Sequence, residues 1–130
     1  MPQWHDDLGK RKATGGKLRP YRSKRRSESG RYATETKLGE PQNSVVLGRG
    51  GSTKTRLFRD KFANVTTPDS KKTERVEVKR VVRNPVNVDF DRRRILTRGA
   101  IIDTRLGEAV VTSRPGQDGI VNALLLRTKD

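Results

Sequence analysis

Cysteine is absent from this 130-residue sequence, and histidine occurs only once, as His5. A chain without cysteine forms neither disulfides nor thiolate metal sites. No cluster of acidic residues matches a two-metal carboxylate site, and the single histidine lies in a segment with little apolar content. We therefore predict a protein that is not an enzyme and has no metal site.

Long apolar segments are also missing. The N-terminal sequence MPQWHDDLGKRKATGG contains no apolar run of signal-peptide length, and no stretch approaches the roughly 20 apolar residues that span a bilayer. Hydrophobic residues make up only 30% of the chain, so they must be concentrated in one place to build a core. We expect a cytoplasmic protein with one compact core, no membrane contact and no small-molecule substrate.

Acidic residues are outnumbered: 15 Asp and Glu stand against 30 Lys and Arg, which gives a net charge of +15. Like charges at this density repel one another, so a polyanionic partner would stabilise the chain. Nucleic acid, an anionic membrane and a sulfated sugar are the three partners that the charge alone allows. The lack of a basic amphipathic helix argues against the membrane.

Residues 1–31 form the most basic segment, with ten basic and three acidic residues. Its large apolar residues follow neither a helical nor a strand period, and Gly15-Gly16 and Pro20 interrupt regular structure. Ordering such a segment costs about 1–2 kcal/mol per residue in backbone entropy, with little apolar burial in return. We therefore predict an extended arm that becomes ordered only against a partner. Trp4 could stack on unpaired bases or cap the protein's own surface, and the sequence favours neither.

Residues 32–130 carry most of the Val, Ile and Leu and form the body. Short β-prone runs bounded by Gly, Pro, Asn or Asp recur along it, whereas no long amphipathic helix is visible. The fold class is predicted to be all-β, either a barrel or a sandwich. The predicted strands are residues 34–38, 44–47, 53–59, 62–66, 75–82, 95–104, 108–114 and 120–127.

Three patterns indicate how the strands of the body are arranged. Val76 and Val78 alternate with charged neighbours, as in a strand with one solvent-exposed face. Residues 120–126 are apolar on both faces and are predicted to lie centrally in the core. Turn residues at 105–108 and 115–119 predict that the last three strands form a meander.

Two segments of the body bear a partial likeness to catalytic motifs. Residues 48–55 resemble a phosphate-binding loop, but Thr53 occupies the place of its second glycine, and a strand instead of a helix is predicted to follow. We interpret this segment either as a flexible basic loop that contacts backbone phosphate or as an ordinary hairpin turn. Asp89 and Asp91 share one side of a predicted extended segment, and we interpret them as local charge balance for the arginines that follow.

The basic residues are arranged in a way that favours RNA among the polyanions. Arginine predominates in the arm, and its planar guanidinium suits bidentate phosphate contacts, while aromatic rings beside it offer stacking for unpaired bases. Residues 92–94, if extended, place basic side chains on opposite faces of the body. The glycine pairs of the arm and of residues 50–51 are proposed as places where the backbone comes close to RNA, because glycine has no side chain in the way. The predicted RNA-binding residues are Lys10, Arg11, Lys12, Gly15, Gly16, Lys17, Arg19, Tyr21, Arg22, Lys24, Arg25, Arg26, Arg31, Arg49, Gly50, Gly51, Lys54, Arg56, Arg92, Arg93, Arg94, Arg98 and Arg114.

Several segments occur in an order that resembles a known family. They are residues 11–20 (RKATGGKLRP), 50–51 (GG), 63–66 (ANVT), 84–85 (NP), 97–102 (TRGAII) and 111–123 (VTSRPGQDGIVNA). Together they resemble the archaeal form of the small-subunit ribosomal protein eight-e family, over about residues 10–126. The resemblance implies a small closed or partly open β-barrel whose basic N-terminal extension penetrates ribosomal RNA. It also implies no catalytic role and no required cofactor. Residues 1–8 depart from the family pattern, so their contacts do not follow from it.

From the charge and this resemblance together we expect a structural constituent of the small ribosomal subunit, bound to the ribosome in the cytoplasm. Its arm (residues 1–31) and the basic loops of its body (32–130) would bind and stabilise folded small-subunit ribosomal RNA, beside neighbouring small-subunit proteins. A DNA-compacting protein or a general RNA chaperone would carry the same charge and is the alternative. An RNA-processing enzyme would need catalytic residues that this sequence lacks.

Overall fold

The computed structural model describes residues 2–6 and 10–128 of the chain. The chain divides into two compact units, Met1–Ala33 and Thr34–Asp130. Strands predominate among the described residues, so the predicted all-β fold class is confirmed. None of the helices in this part of the chain has the length and apolar character needed to cross a membrane.

The first unit contains two short strands, β1 (Gln3–Trp4) and β2 (Ser29–Gly30), and a 3-10 helix at Arg26–Glu28. The strands pair antiparallel, and the His5 N–H continues the ladder by donating to the Glu28 carbonyl at 2.9 Å. A Cβ atom at Gly30 would overlap the His5 ring, so glycine permits this close approach. The prediction that residues 1–31 contain no regular element is therefore wrong at these positions. Two-residue strands are too short to produce a periodic pattern.

Over its described residues, 34–128, the second unit contains eight strands, two short α-helices and a 3-10 helix at Arg49–Gly51. The strands are β3 (Lys37–Leu38), β4 (Gln42–Leu47), β5 (Thr53–Asp60), β6 (Phe62–Thr67), β7 (Lys72–Arg83), β8 (Ile101–Thr104), β9 (Gly107–Val111) and β10 (Asn122–Thr128). The helices are α1 (Val88–Arg92) and α2 (Pro115–Asp118). Five strands form a closed barrel in the order β10-β6-β7-β8-β9, and β3-β5-β4 form a separate sheet. The predicted β-barrel is confirmed.

Pairing in the barrel is antiparallel except where it closes. There β6 and β10 run parallel, with Asn64 opposite Asn122 and Thr66 opposite Leu124. β8, β9 and β10 are consecutive antiparallel neighbours, so the predicted meander is confirmed. β7 pairs with β6 through its first half and with β8 through its second half.

The core lies inside the barrel and is formed by the inward residues of alternating strands, among them Val65, Val76, Ile102 and Val111. Val78 is buried as well, while Arg75, Glu77 and Lys79 are exposed, as the alternation predicted. The prediction that both faces of residues 120–126 are buried is wrong. Val121, Ala123 and Leu125 are buried, but Ile120, Leu124 and Leu126 are exposed, because a closed barrel has only one interior face.

Residues 95–100, predicted as the start of a strand, have an irregular conformation. Ile95 and Leu96 are buried, and the Leu96 N–H donates to the Thr36 carbonyl at 2.8 Å. The Gly99 N–H donates to the Val111 carbonyl at 2.7 Å, and the Val111 N–H donates to the Ala100 carbonyl at 2.9 Å, but residues 95–100 form no strand. Gly99 then adopts a left-handed conformation with φ of 87°. An apolar pattern indicates that side chains are buried. An irregular backbone can bury them as well as a strand can.

The segment predicted to be extended around Asp89 and Asp91 is the helix α1. The Asn87 side-chain oxygen accepts from the Asp89 N–H at 2.9 Å and so caps the helix. Arg93 is the C-cap residue of α1, and Arg94 after it has a left-handed φ of 53°. The prediction that residues 92–94 alternate between two faces of a strand is therefore wrong.

Candidate nucleic-acid interface

The first cationic group is a tight loop over residues 11–17. Arg11 and Lys17 form an antiparallel bridge, and the Lys12 N–H donates to the Gly16 carbonyl at 2.9 Å. Gly15 adopts a left-handed φ of 82°, and the Arg11 guanidinium donates to its carbonyl at 2.9 Å. The loop thus gathers Arg11, Lys12 and Lys17, all exposed, at one turn of the chain. A Cβ atom at Gly15 would meet nothing, so its backbone conformation, and not a close contact, accounts for glycine.

Arg22 is held within the first unit. Its guanidinium binds both carboxylate oxygens of Glu28, one of them at 3.0 Å, and lies 5.5 Å from the centre of the Tyr21 ring. Glu28 also accepts from the Arg25 N–H at 3.0 Å. These hydrogen bonds, chiefly that from Arg22, lower the pKa of Glu28 to about 2. Arg22 was predicted as an RNA contact, but a carboxylate already neutralises it here.

Trp4 has a partner inside its own unit. The Lys24 ammonium lies 5.2 Å from the centre of the half-buried Trp4 ring. Tyr21, by contrast, is 83% exposed and leaves most of its ring open for stacking. The remaining predicted cations of the unit are all exposed: Lys10, Arg19, Arg25, Arg26 and Arg31.

The second cationic group is the hairpin between β4 and β5. Its tip is the 3-10 helix Arg49–Gly51, in which Gly50 and Gly51 have φ of 69° and 75°. Nothing lies within 4 Å of a Cβ placed at either glycine, so the backbone at the tip is open. Arg49, the first residue of the tip, and Lys54, shortly after it on β5, are exposed. A strand follows the tip and pairs with β4, so residues 48–55 are the turn of a hairpin and no helix follows them, and contact of this turn with phosphate stays a prediction.

The arginines at residues 92–94 have internal partners. Arg92 pairs with Asp89 at 3.1 Å, and Arg93 pairs with Asp89 at 3.2 Å and with Glu35. Arg94 donates to the carbonyls of Val81 and Val82 at 3.2 and 2.9 Å. Asp89 thus balances local charge, as predicted.

The other predicted body cations are dispersed. Arg56 is half-buried and donates to the Thr34 hydroxyl, while Arg98 and Arg114 are exposed in loops before β8 and α2. Within the first unit the structure brings the cations of the 11–17 loop together, and within the second unit it places Arg49 and Lys54 at one hairpin. It gives the Arg56, Arg93 and Arg94 side chains structural partners.

The sequence did not indicate two sets of exposed residues. Lys79 and Arg80 of β7 line a cavity of about 300 Å³ with Arg94. Phe58 and Phe62 are 38% and 37% exposed, and each has an arginine over its ring, Arg56 at 5.9 Å and Arg75 at 4.6 Å. Strand alternation alone could have indicated that Phe62 and Arg75 point outward, because Ala63, Val65 and Val76 point inward.

These groups offer cations and aromatic rings at the surface of each unit. In the described part of the chain, no group of three or more His, Asp or Glu could hold a metal ion. Exposed guanidinium and ammonium groups on turns can neutralise closely spaced phosphates, and exposed rings can stack on bases. The fold and these groups define the class of small, basic β-barrel proteins.

The comparison with known families identifies the family within this class. The family model described as ribosomal protein S8e matches residues 5–126, and the chain belongs to that family. Small ribosomal subunit protein eS8 of Methanoregula boonei is 47% identical over 116 residues, which cover 89% of this chain and 93% of the relative. The eS8 proteins of Picrophilus torridus and Hyperthermus butylicus are 47% and 46% identical, over 89% and 92% of this chain and 93% and 89% of their own lengths.

Proposed function

We propose that this protein is a structural constituent of the small ribosomal subunit that binds and stabilises folded small-subunit ribosomal RNA. Binding occurs through its basic N-terminal arm and the basic loops of its body, in the cytoplasm and beside other small-subunit proteins. The protein performs no catalysis.

One observation carries this proposal: the chain belongs to a ribosomal protein family, and the cations of its loops are exposed without an acidic partner among the described residues. Arg11, Lys12, Lys17, Arg49 and Lys54 are exposed, and none forms an ion pair with any acidic residue that the structure describes. These charges are therefore available to a negative partner from outside the chain. Phosphates of folded RNA are crowded together and supply it.

The mechanism is differential binding. RNA that folds back on itself brings phosphates close and raises its own repulsion, which cations at the junction offset. A protein that places several cations there binds the folded RNA more tightly than the unfolded RNA. It therefore shifts the RNA population toward the folded state.

Salt dependence tests this proposal. If six to ten cations meet phosphates, affinity for small-subunit RNA should fall about 10³- to 10⁵-fold between 50 and 200 mM salt. Filter binding of the whole chain to transcribed small-subunit RNA measures the fall. A flat salt dependence would refute the proposal, and equal binding to duplex DNA at matched salt would favour a general polyanion binder.

A matched pair of variants tests the arm. Replacing Arg11, Lys12, Lys17 and Arg19 by Gln should lower the slope of log affinity against log salt by about 3 to 4, since each phosphate contact contributes about 0.9. The control replaces two exposed arginines and two exposed lysines of the body, Arg59, Lys72, Lys79 and Arg83, and so has the same net charge. Equal slopes for the two variants would show that net charge alone governs binding and that the arm has no special role.

A further inference from the structure

Asn64 and Asn122 lie in two separate segments of the sequence, and the barrel brings them together. They are opposite each other on the parallel strands β6 and β10, and the Asn64 side-chain amide donates to the Asn122 side-chain oxygen at 3.1 Å. Their neighbours Ala63 and Ala123 are buried, so both asparagines are on the outer face of the barrel. Each is half-buried and reachable from solvent.

The backbone holds this amide pair in place. The Asn64 N–H donates to the Val121 carbonyl at 2.9 Å, and the Asn122 N–H donates to the Ser113 hydroxyl at 2.9 Å. The Asn122 carbonyl accepts from the Thr112 N–H at 2.8 Å. Among the described residues, the Asn64 side-chain oxygen and the Asn122 side-chain nitrogen have no partner. The pair thus offers one acceptor and one donor on a rigid support.

An aromatic ring stacked with a guanidinium lies beside the amide pair. Phe62 is two residues before Asn64 on β6 and points outward as it does, and Arg75 is directly opposite Asn64 on β7. The Arg75 guanidinium lies 4.6 Å from the centre of the Phe62 ring, which is 37% exposed. Planar arginine and aromatic groups are the surfaces on which unpaired bases stack.

The charges around this group favour a base over a phosphate. Glu77 is opposite Phe62, and its carboxylate would repel a phosphate there while it could accept from a base amino group. The Ser113 hydroxyl accepts from the Asn122 N–H, and the exposed Arg114 directly follows Ser113 in the chain.

We propose that Phe62, Arg75, Asn64 and Asn122 form a binding site for one unpaired RNA base on the wall of the barrel. The base stacks on the Phe62 and Arg75 pair, and its hydrogen-bonding edge meets the free donor and acceptor of the two asparagines. This inference rests on the proposed function, since it specifies how the protein contacts single-stranded parts of its RNA.

The test uses the whole chain and a short single-stranded RNA with a central 2-aminopurine, whose fluorescence falls on stacking. Phe62→Leu and Arg75→Lys remove the stacking surfaces but keep the apolar character and the charge. Phe58→Leu and Arg83→Lys are the matched controls, because Phe58 is equally exposed without an amide pair and Arg83 is exposed on the same strand as Arg75. Thermal unfolding verifies that all four variants are folded.

Phe62→Leu and Arg75→Lys should each weaken binding of the single strand about fivefold or more, which corresponds to the lower end of the stacking energy of one base. The salt slope should stay unchanged, because no phosphate contact is lost. Fluorescence quenching should diminish, and the two controls should bind within about twofold of the original chain.

The inference is wrong if the site variants and the controls lose affinity equally, if neither loses affinity, or if the loss persists with an RNA that is abasic at the central position. These outcomes are separate from failure of the proposed function. Weak, salt-independent binding of the unmodified chain to small-subunit RNA would refute that function. Strong binding to this RNA with unaffected site variants would refute the base site alone.

Discussion

Glu28 holds one of the predicted RNA-binding arginines, Arg22, in an ion pair within the first unit. Its carboxylate binds the Arg22 guanidinium and the Arg25 N–H, so that the 3-10 helix Arg26–Glu28 is tied to residue 22. The same contacts stabilise the ionised form of the carboxyl and lower its pKa to about 2 from an ordinary value of 4.5. Arg22 therefore acts within the first unit as a structural residue.

The stability that this pair contributes should depend on acid pH. Because the pKa of Glu28 is lower in the folded chain, the contribution is complete above about pH 4.5 and disappears as the pH falls through about 2. Carboxyl titration by NMR should give a midpoint near 2, and Arg22→Gln should return it toward the ordinary value. A midpoint of 4.5 in the unmodified chain would contradict the Arg22–Glu28 pair.

Arg94 stabilises the edge of β7. Its guanidinium donates to two carbonyls of the strand from a backbone with φ of 53°. Arg94→Ala should lower the free energy of unfolding by about 1–3 kcal/mol, because two carbonyls lose a charged donor while the backbone conformation stays as it was. Urea unfolding measures the loss. Arg92→Ala is the control and should stay within about 0.5 kcal/mol, since Arg92 forms only an exposed ion pair.

Glycines with positive φ stand at the C-terminal end of α2 and at the hairpin tip. Their surroundings differ, and so should the cost of replacing them. Gly119 ends α2 with φ of 77°, and a Cβ there would lie within 2.6 Å of the Thr55 side chain. Gly50 has φ of 69° in open space. Gly119→Ala should cost at least about 2 kcal/mol and Gly50→Ala about 1 kcal/mol, because only the first adds a steric overlap to the backbone strain. Thermal unfolding distinguishes them, and equal losses would show that α2 does not pack on β5 in this way.

Most strands could be predicted from the sequence because their inward and outward residues alternate. β7 is the clearest case, with Val76 and Val78 buried between exposed charges. The helix α1 was missed because its five residues are too few for a helical period, and its signals are local: the Asn87 cap and the pairing of Asp89 with Arg92 and Arg93. Irregular backbone at residues 95–100 buries apolar side chains just as a strand would.

The candidate interface could be predicted in part. Net charge and turn residues indicated the cations of the 11–17 loop and the hairpin tip. Which cations are already paired depends on contacts far apart in the sequence, such as Arg93 with Glu35. The outer group at Phe62 and Asn64 needs the parallel pairing of β6 with β10, and no local pattern predicts which two strands close a barrel.

The first unit contributes no residue to the described hydrophobic core. All buried hydrophobic residues of the described core lie between Leu57 and Leu125. A chain without residues 1–33 should therefore keep its cooperative unfolding transition, with a melting temperature within a few degrees of the original. Its affinity for small-subunit RNA should fall steeply, because the cations of the arm are lost. Retained affinity would assign RNA binding to the body alone, and loss of the transition would show that the body depends on the first unit.

The parallel contact between Asn64 and Asn122 spans 58 positions of the chain. A growing polypeptide cannot complete the barrel until β10 has emerged from the ribosome, because β10 must insert between β6 and β9. The arginines and lysines near the N-terminus are released long before that moment. During biosynthesis this protein thus exposes its most cationic part while its hydrophobic strands are still unprotected, which makes early capture by RNA or by a chaperone a benefit to its own maturation.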